Sequence, residues 1–306
     1  MSLFKVCRAF GLMSVALWFG LTGSSAQAQL NVFATVPEWG ALAEELGGEK
    51  VKVYVATNAL QDPHRVQARP SLLARARNAQ LLLATGSELE IGWLPLLQRD
   101  AGNAKILPGT PGMFEASQYV QLLGIPAVVD RSLGDVHAAG NPHIQTDPRN
   151  FLPIARALTE RLILLDSANG SFYQGRLRDF LFKWQASIDR WAAIAKPLRG
   201  EKIWVQHDGF VYLNNWLGLI QVGTLEPLPG LDPSVAHLST VLQRQSQLQG
   251  RMIVTSAYAG DAASKWFSER AKVPLVVLPF TVGGNKEATT LETFFENTVA
   301  RLMQAL

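Results

Sequence analysis

At 306 residues, 48% of them apolar and 17% charged, the chain carries enough apolar side chain to close two cores of ordinary domain size. Its 28 basic and 25 acidic residues leave a net charge of +3, with no run or stripe of Lys and Arg, which excludes nucleic acid as the partner. The one cysteine, Cys7, excludes an intramolecular disulfide framework.

The first predicted element is a targeting segment. Lys5 and Arg8 make a basic start, residues 9–21 are almost wholly apolar, and Ala26-Gln27-Ala28 is a small-x-small cleavage site, so residues 1–28 read as a secretory signal peptide cut after Ala28. Cys7 precedes the apolar stretch, so it is no lipid-anchor cysteine and leaves with the signal. No later segment reaches about 18 consecutive apolar residues, the length of a membrane-spanning helix. The mature chain is expected to be soluble and periplasmic, with a net charge of +1 once Lys5 and Arg8 are gone.

From residue 30 onward short β-type runs alternate with helical patterns, the signature of parallel sheets covered by helices. Strands are predicted over 30–36, 51–56 and 80–84, and helices over 37–46, 70–78 and 89–98; residues 29–168 read as an N-terminal α/β lobe. Between about 148 and 198 there is no strand candidate and one turn signal, Asn169-Gly170, so two helices are expected. The second carries Phe172, Leu177, Phe180, Leu181, Trp184, Ile188, Trp191 and Ile194 at helical spacing and is closed by Pro197 and Gly200. At about 1.5 Å per residue this connecting helix, 169–199, can run the length of a small domain. Strands over 202–206, 219–225, 251–255 and 274–278, with helices over 210–216, 233–248, 261–272 and 290–306, make 200–306 a second lobe. The expected fold class is α/β: two lobes, each a parallel sheet flanked by helices, joined by one long linker helix that allows little hinge freedom.

Three of the five histidines sit in similar polar settings: His64 in Gln61-Asp62-Pro63-His64, His143 in Gly140-Asn141-Pro142-His143, and His207 in Val205-Gln206-His207-Asp208-Gly209. A lone loop histidine most simply hydrogen-bonds to nearby backbone. Three in such settings point to a shared ion, because neutral imidazole is the commonest side-chain ligand for Zn²⁺ and three rings with one further donor fill a tetrahedral shell. No HExxH pair is present, so the site has to be assembled by folding. Ligands of open α/β sheets gather beyond the carboxyl ends of the strands, where His207 directly follows one strand and His64 follows another by several residues.

With these motifs in order, the chain resembles the TroA-like zinc and manganese receptors of metal ABC importers. The matching segments are Asp62-Pro63-His64 with Arg69-Pro70-Ser71, Asn141-Pro142-His143-Ile144 with Asp147-Pro148-Arg149-Asn150, and His207-Asp208-Gly209-Phe210 with Tyr212. Segments 222–227, 233–238 and 278–284 are similar to the zinc-type branch. The resemblance implies a helical-backbone, two-lobed receptor that is not an enzyme. His64 and His143 would be metal ligands from the first lobe and His207 from the second. It implies Zn²⁺ as the bound ion, with Mn²⁺ the lesser expectation, because manganese receptors of the class carry a carboxylate at the third position. An imidazole-rich shell suits the softer ion. The implied function is high-affinity capture of periplasmic zinc by a monomer that delivers it to a membrane permease, with a metallochaperone as a further partner. Lobe closure and opening would accompany capture and release.

Two features depart from the family. The usual fourth ligand, an Asp at the start of the last helix, is replaced in Glu287-Ala288-Thr289-Thr290-Leu291, where Thr290 takes its place; Glu287, a water or Glu292 are the candidate fourth donors. The His-rich acidic loop before the second histidine motif is absent, leaving His137, expected as a solvated loop histidine, with a weak auxiliary donor the lesser reading. His237 is expected to be structural, and Trp39, Trp93, Trp204 and Trp216 to be packing residues. Asp62 and Asp147 are candidates to accept from the second ring nitrogen of a ligand, or simply to cap turns. Two other readings fit the same residues. One is a zinc-dependent hydrolase with an open coordination position, although no general base is identifiable. The other is a helix-hinged receptor for an organic ligand such as a siderophore or haem.

Overall fold

A computed structural model describes residues 28–127 and 134–306; all of the expected signal peptide except Ala28 lies outside the described residues. Strands β1 (Leu30–Ala34), β2 (Val51–Val55), β3 (Leu81–Ala84) and β4 (Met113–Glu115) form one sheet in the order β2-β1-β3-β4. Strands β5 (Lys202–Val205), β6 (Ile220–Thr224), β7 (Met252–Ser256) and β8 (Leu275–Leu278) repeat that order as β6-β5-β7-β8. Every pairing is parallel. With helices on both faces, β3 and β7 are buried at every position, which is why they read as continuous apolar runs rather than alternating ones.

The expected elements form within a few residues of their predicted bounds, with two exceptions in the first lobe. After α1 (Pro37–Gly47) and α2 (Pro70–Arg77), the helix expected over 89–98 starts only at Leu94, as α3 (Leu94–Ala101). The preceding stretch is a series of turns in which Ser87 and Glu88 hold positive φ angles of 49° and 65°, incompatible with a helix. Strand β4 was not anticipated. It is three residues long, too short to show a period, and begins after Gly112, where a Cβ would strike the carbonyl oxygens of Gln80 and Lys105.

The two helices expected between the sheets are α4 (Phe151–Leu165) and α5 (Gly170–Ile194). The turn between them is the 3₁₀ segment Ser167–Asn169, so Gly170 opens α5 rather than closing α4. Helix α5 has 25 residues, about 37 Å, and stops at Ile194, with Lys196–Leu198 as a separate 3₁₀ turn. It buries Tyr173, Phe180, Trp184, Ser187, Ile188 and Trp191. Trp184 stacks on Phe180 at 5.2 Å and meets Phe151 of α4 and Phe295 of α9 (Leu291–Gln304) at 5.4 and 5.6 Å. One continuous core then runs from Leu30 and Val32 of the first sheet, through α4, α5 and α9, to Ile203 and Met252 of the second. A wide hinge would tear this core and expose apolar surface at roughly 25 cal/mol per Å², so only small relative movements of the lobes are inexpensive.

The second lobe is completed by α6 (Val211–Leu217), α7 (Val235–Leu248) and α8 (Ala262–Ala271). Where the lobes meet, Glu38 of α1 is 2% exposed and accepts a 2.6 Å hydrogen bond from the Thr281 hydroxyl, beyond β8. Burial pushes the Glu38 carboxyl up to about 7, against the lowering effect of the Thr281 bond. A carboxyl with a raised folded pKa contributes fully below its unfolded value of 4.5 and loses that contribution as pH rises to about 7. Glu38→Gln is therefore expected to flatten the pH dependence and to add on the order of 3 kcal/mol at pH 8 relative to pH 4.5. Urea unfolding at the two pH values measures this, and parallel pH profiles for the two proteins would contradict it.

Candidate metal centre

His64 and His143 are set by the same local device. In Asp62-Pro63-His64 the Asp62 Oδ1 accepts from the His64 backbone N–H at 3.0 Å, and in Asn141-Pro142-His143 the Asn141 Oδ1 accepts from the His143 N–H at 3.0 Å. Both are Asx turns, with proline fixing the middle residue and the histidine projected from the far side. The first turn is anchored from below by Trp93, whose indole donates to the Pro63 carbonyl at 3.0 Å. The second is tied to the His207 segment: Asn141 Nδ2 donates to the Asp208 carbonyl at 2.6 Å, and the Tyr212 hydroxyl donates to the Asn141 carbonyl at 2.7 Å.

His207 lies two residues beyond β5. Because β5 and β6 run parallel with Val205 opposite Thr224, the residue beside His207 beyond the neighbouring strand is Glu226. Its Oε2 lies 2.8 Å from His207 Nδ1 and also accepts from the Gly230 N–H. Asp62 does the same for His64, with Oδ1 2.9 Å from Nδ1. With Nδ1–H of both rings donating to carboxylates, the Nε2 lone pairs of His64 and His207 are free to face inward.

The three rings, distant in sequence, converge between the lobes. Ring centroids are 5.3 Å apart for His64 and His143, 5.4 Å for His143 and His207, and 6.1 Å for His64 and His207. The His143 and His207 Nε2 atoms are 3.3 Å apart, and His64 Nε2 is buried without a hydrogen-bond partner. A tetrahedral Zn²⁺ with bonds of about 2.0–2.1 Å holds its nitrogens about 3.3–3.4 Å apart, so one edge of such a tetrahedron is already in place. As the side chains stand, no three His, Cys, Asp or Glu groups among the described residues are in full ligating arrangement.

The electrostatics suit a cation. Burial, followed by the other three imidazoles at the cluster, holds His143 well below the usual histidine range, so it is neutral and ready to donate a lone pair. Burial also acts to lower His207, but the hydrogen bond and charge of Glu226 outweigh it and the net direction is upward. Burial acts to raise Asp62, yet its bond to His64 and the charges of His64 and Arg65 leave it lowered and ionised.

Thr290 stands at the start of α9 as expected, as its N-cap, its hydroxyl and the Thr293 side chain forming a reciprocal capping box. Several other sequence expectations are corrected here. Glu287 pairs with Arg301 at 3.7 Å, and Glu292 with Arg190 at 2.9 Å and Ser187 at 3.0 Å, so both carboxylates are engaged at α9 and α5 rather than at the histidines. Asp147 pairs with Arg149 at 2.6 Å and caps its own turn, leaving Asp62 alone of the two as an imidazole partner. His137 is not a solvated loop residue: it is half-buried, 5.4 Å from the His64 ring, and lines a cavity of about 140 Å³ together with His143 and His207. Glu226 was missed altogether, although its segment had been singled out; only strand register puts it beside His207. His237 makes none of these ring contacts and lies at the start of α7. Trp39, Trp93, Trp204 and Trp216 are buried packing residues, as expected.

The profile of the family described as ZnuA, zinc-uptake complex component A periplasmic, matches residues 32–305. The chain is 25% identical over 242 residues to the high-affinity zinc uptake system protein ZnuA of Yersinia pestis, covering 75% of this chain and 72% of that one. It is 21% identical over 296 residues to the manganese ABC transporter substrate-binding lipoprotein PsaA of Streptococcus pneumoniae, covering 95% and 91%. A crystal structure of ZnuA superposes with a TM-score of 0.74 at 19% identity, over 90% of this chain and 99% of that one. A cadmium-bound periplasmic metal binding protein from candidatus liberibacter asiaticus gives 0.74 at 17% identity over the same shares. These two likenesses show the fold.

Proposed function

Since the chain belongs to the ZnuA family of metal-binding receptors for ABC importers, whose members are not enzymes, we propose that it captures Zn²⁺ between its lobes and hands it to a membrane permease. We take the lobes as residues 29–168 and 200–306 around a connector at 169–199, and the compartment as the periplasm, reached by cleavage after Ala28. His64, His143 and His207 are the ligands in this reading. The observation that carries it is the 3.3 Å separation of two inward-facing imidazole nitrogens, the donor spacing of a tetrahedral zinc site, with a third ring beside them.

Zinc is favoured over manganese by the donor set. Manganese takes carboxylate, carbonyl and water oxygens, and the carboxylates at this cluster, Asp62 and Glu226, face the Nδ1 side of the rings instead.

Asp62 and Glu226, held at Nδ1 of His64 and His207, orient these two rings with Nε2 toward the cluster. Arrival of the ion draws His64 toward the His143–His207 pair, and with it the turn held by Trp93. Release needs the reverse movement, small enough for α5 and the shared core to stay intact. Elemental analysis of protein taken from the periplasm is the direct test. One equivalent of zinc with little manganese is expected; manganese in excess, or no metal after growth in zinc-replete medium, would overturn the assignment.

A further inference from the structure

The two carboxylates near the start of α9, Glu287 and Glu292, are engaged with Arg301 and Arg190. The cluster itself holds another candidate. The geometry points to His137 as the fourth zinc ligand, bound through Nδ1 and completing an all-imidazole shell. This rests on the reading of His64, His143 and His207 as the other three.

The argument begins with the segment that carries His137. Residues 134–141 bridge the two lobes: the Asp135 N–H donates to the Pro229 carbonyl at 3.0 Å on the second lobe. The Ala138 N–H donates to Glu88 Oε2 at 2.8 Å, and the Ser87 hydroxyl to the Gly140 carbonyl at 2.7 Å, on the first. Within the segment the Gly140 N–H closes a turn on the His137 carbonyl at 3.1 Å. These bonds fix the backbone and turn the ring into the cavity shared with His143 and His207.

The side chain supplies the second observation. His137 Nδ1 is buried and has no hydrogen-bond partner, and its ring stands 5.4 Å from His64, whose Nε2 is likewise buried and unpartnered. An orphaned buried nitrogen is unfavourable, and two such nitrogens in adjacent rings make a favourable pair of lone pairs for one cation. Ligation of both rings by one ion would draw the bridging segment and the His64 turn together.

Four neutral imidazoles leave the ion its full +2 charge. Asp62 and Glu226, hydrogen-bonded to the outer nitrogens of His64 and His207, balance it one ring away. The carboxylate that the family places in direct contact with the metal is thereby replaced by two carboxylates acting through imidazoles, which raises selectivity against ions that demand oxygen donors.

The test is ¹⁵N–¹H correlation of the histidine rings in full-length mature protein, before and after one equivalent of Zn²⁺. Three rings are expected to show metal-bound Nε2 and His137 metal-bound Nδ1. A His137 ring whose resonances do not change, while the other three do, overturns the inference and leaves the three-histidine reading standing. If the His64, His143 and His207 rings are unmoved as well, that reading itself fails. In parallel, His137→Ala is expected to retain one zinc but to weaken its affinity at least tenfold to a hundredfold, the range already produced by loss of outer-sphere partners. Unchanged affinity in this variant overturns the inference. Because the resonance measurement uses the unaltered chain, it stands even if the variant folds poorly.

Discussion

Replacing His64, His143 or His207 singly by Ala is expected to weaken zinc binding by two orders of magnitude or more in each case. The estimate follows from the apparent free energy of a four-donor zinc site, about 10–16 kcal/mol, which is about 3 kcal/mol per donor, and each 1.4 kcal/mol is tenfold. His207→Ala carries a second effect, because it strips Glu226 of its ring partner and leaves a nearly buried carboxylate with only the Gly230 N–H. His143→Ala opens a gap against Phe280, whose ring lies 5.1 Å from the imidazole. Competition against a chromophoric zinc chelator measures the affinities, and far-UV circular dichroism checks that each variant folds. A single variant that keeps wild-type affinity would remove that residue from the site.

Zinc affinity is also expected to fall with pH, with a slope set mainly by His207. Protons compete for the same lone pairs as the metal, so each histidine protonated in the metal-free protein costs about tenfold per pH unit. The sign follows from the neighbours. Glu226 raises His207, so proton competition there begins at a higher pH than for an ordinary histidine, whereas burial and the surrounding rings keep His143 neutral until far more acidic conditions. A thousandfold loss per pH unit in mild acid would need His143 or His137 protonated too, both of which burial holds low, and would contradict this picture. Affinity that stays flat down to about pH 5 would reject an imidazole site altogether. Glu226→Gln is expected to separate the two roles of that carboxylate. At pH 8 affinity should drop about tenfold to a hundredfold through the loss of a basic partner. The pH profile should meanwhile shift to lower pH, because burial then dominates His207.

How the lobes move bears on both results. The aromatic face of α5 joins the two sheets in one core, so capture and release have to be accommodated by the histidine-bearing turns and by small adjustments between lobes.

Much of this was legible in the chain itself. Alternating apolar runs and helical periods encode the two α/β lobes and the long α5, because burial on both faces of a parallel sheet and on one face of a helix leaves a period in the residues that form them. Asp-Pro-His and Asn-Pro-His are local turns, so the sequence alone could pick out His64 and His143, and the resemblance to metal receptors of ABC importers, borne out by the family match, followed from such motifs. Tertiary structure decided what no local pattern carries. Parallel register placed Glu226 beside His207, nineteen residues away. Pairing with Arg301 and Arg190 took Glu287 and Glu292 away from the histidines, and a segment bridged to both lobes turned His137 inward. A turn is fixed by bonds between near neighbours in the chain, whereas a shared cavity is fixed by where distant strands end, and only the folded backbone determines that.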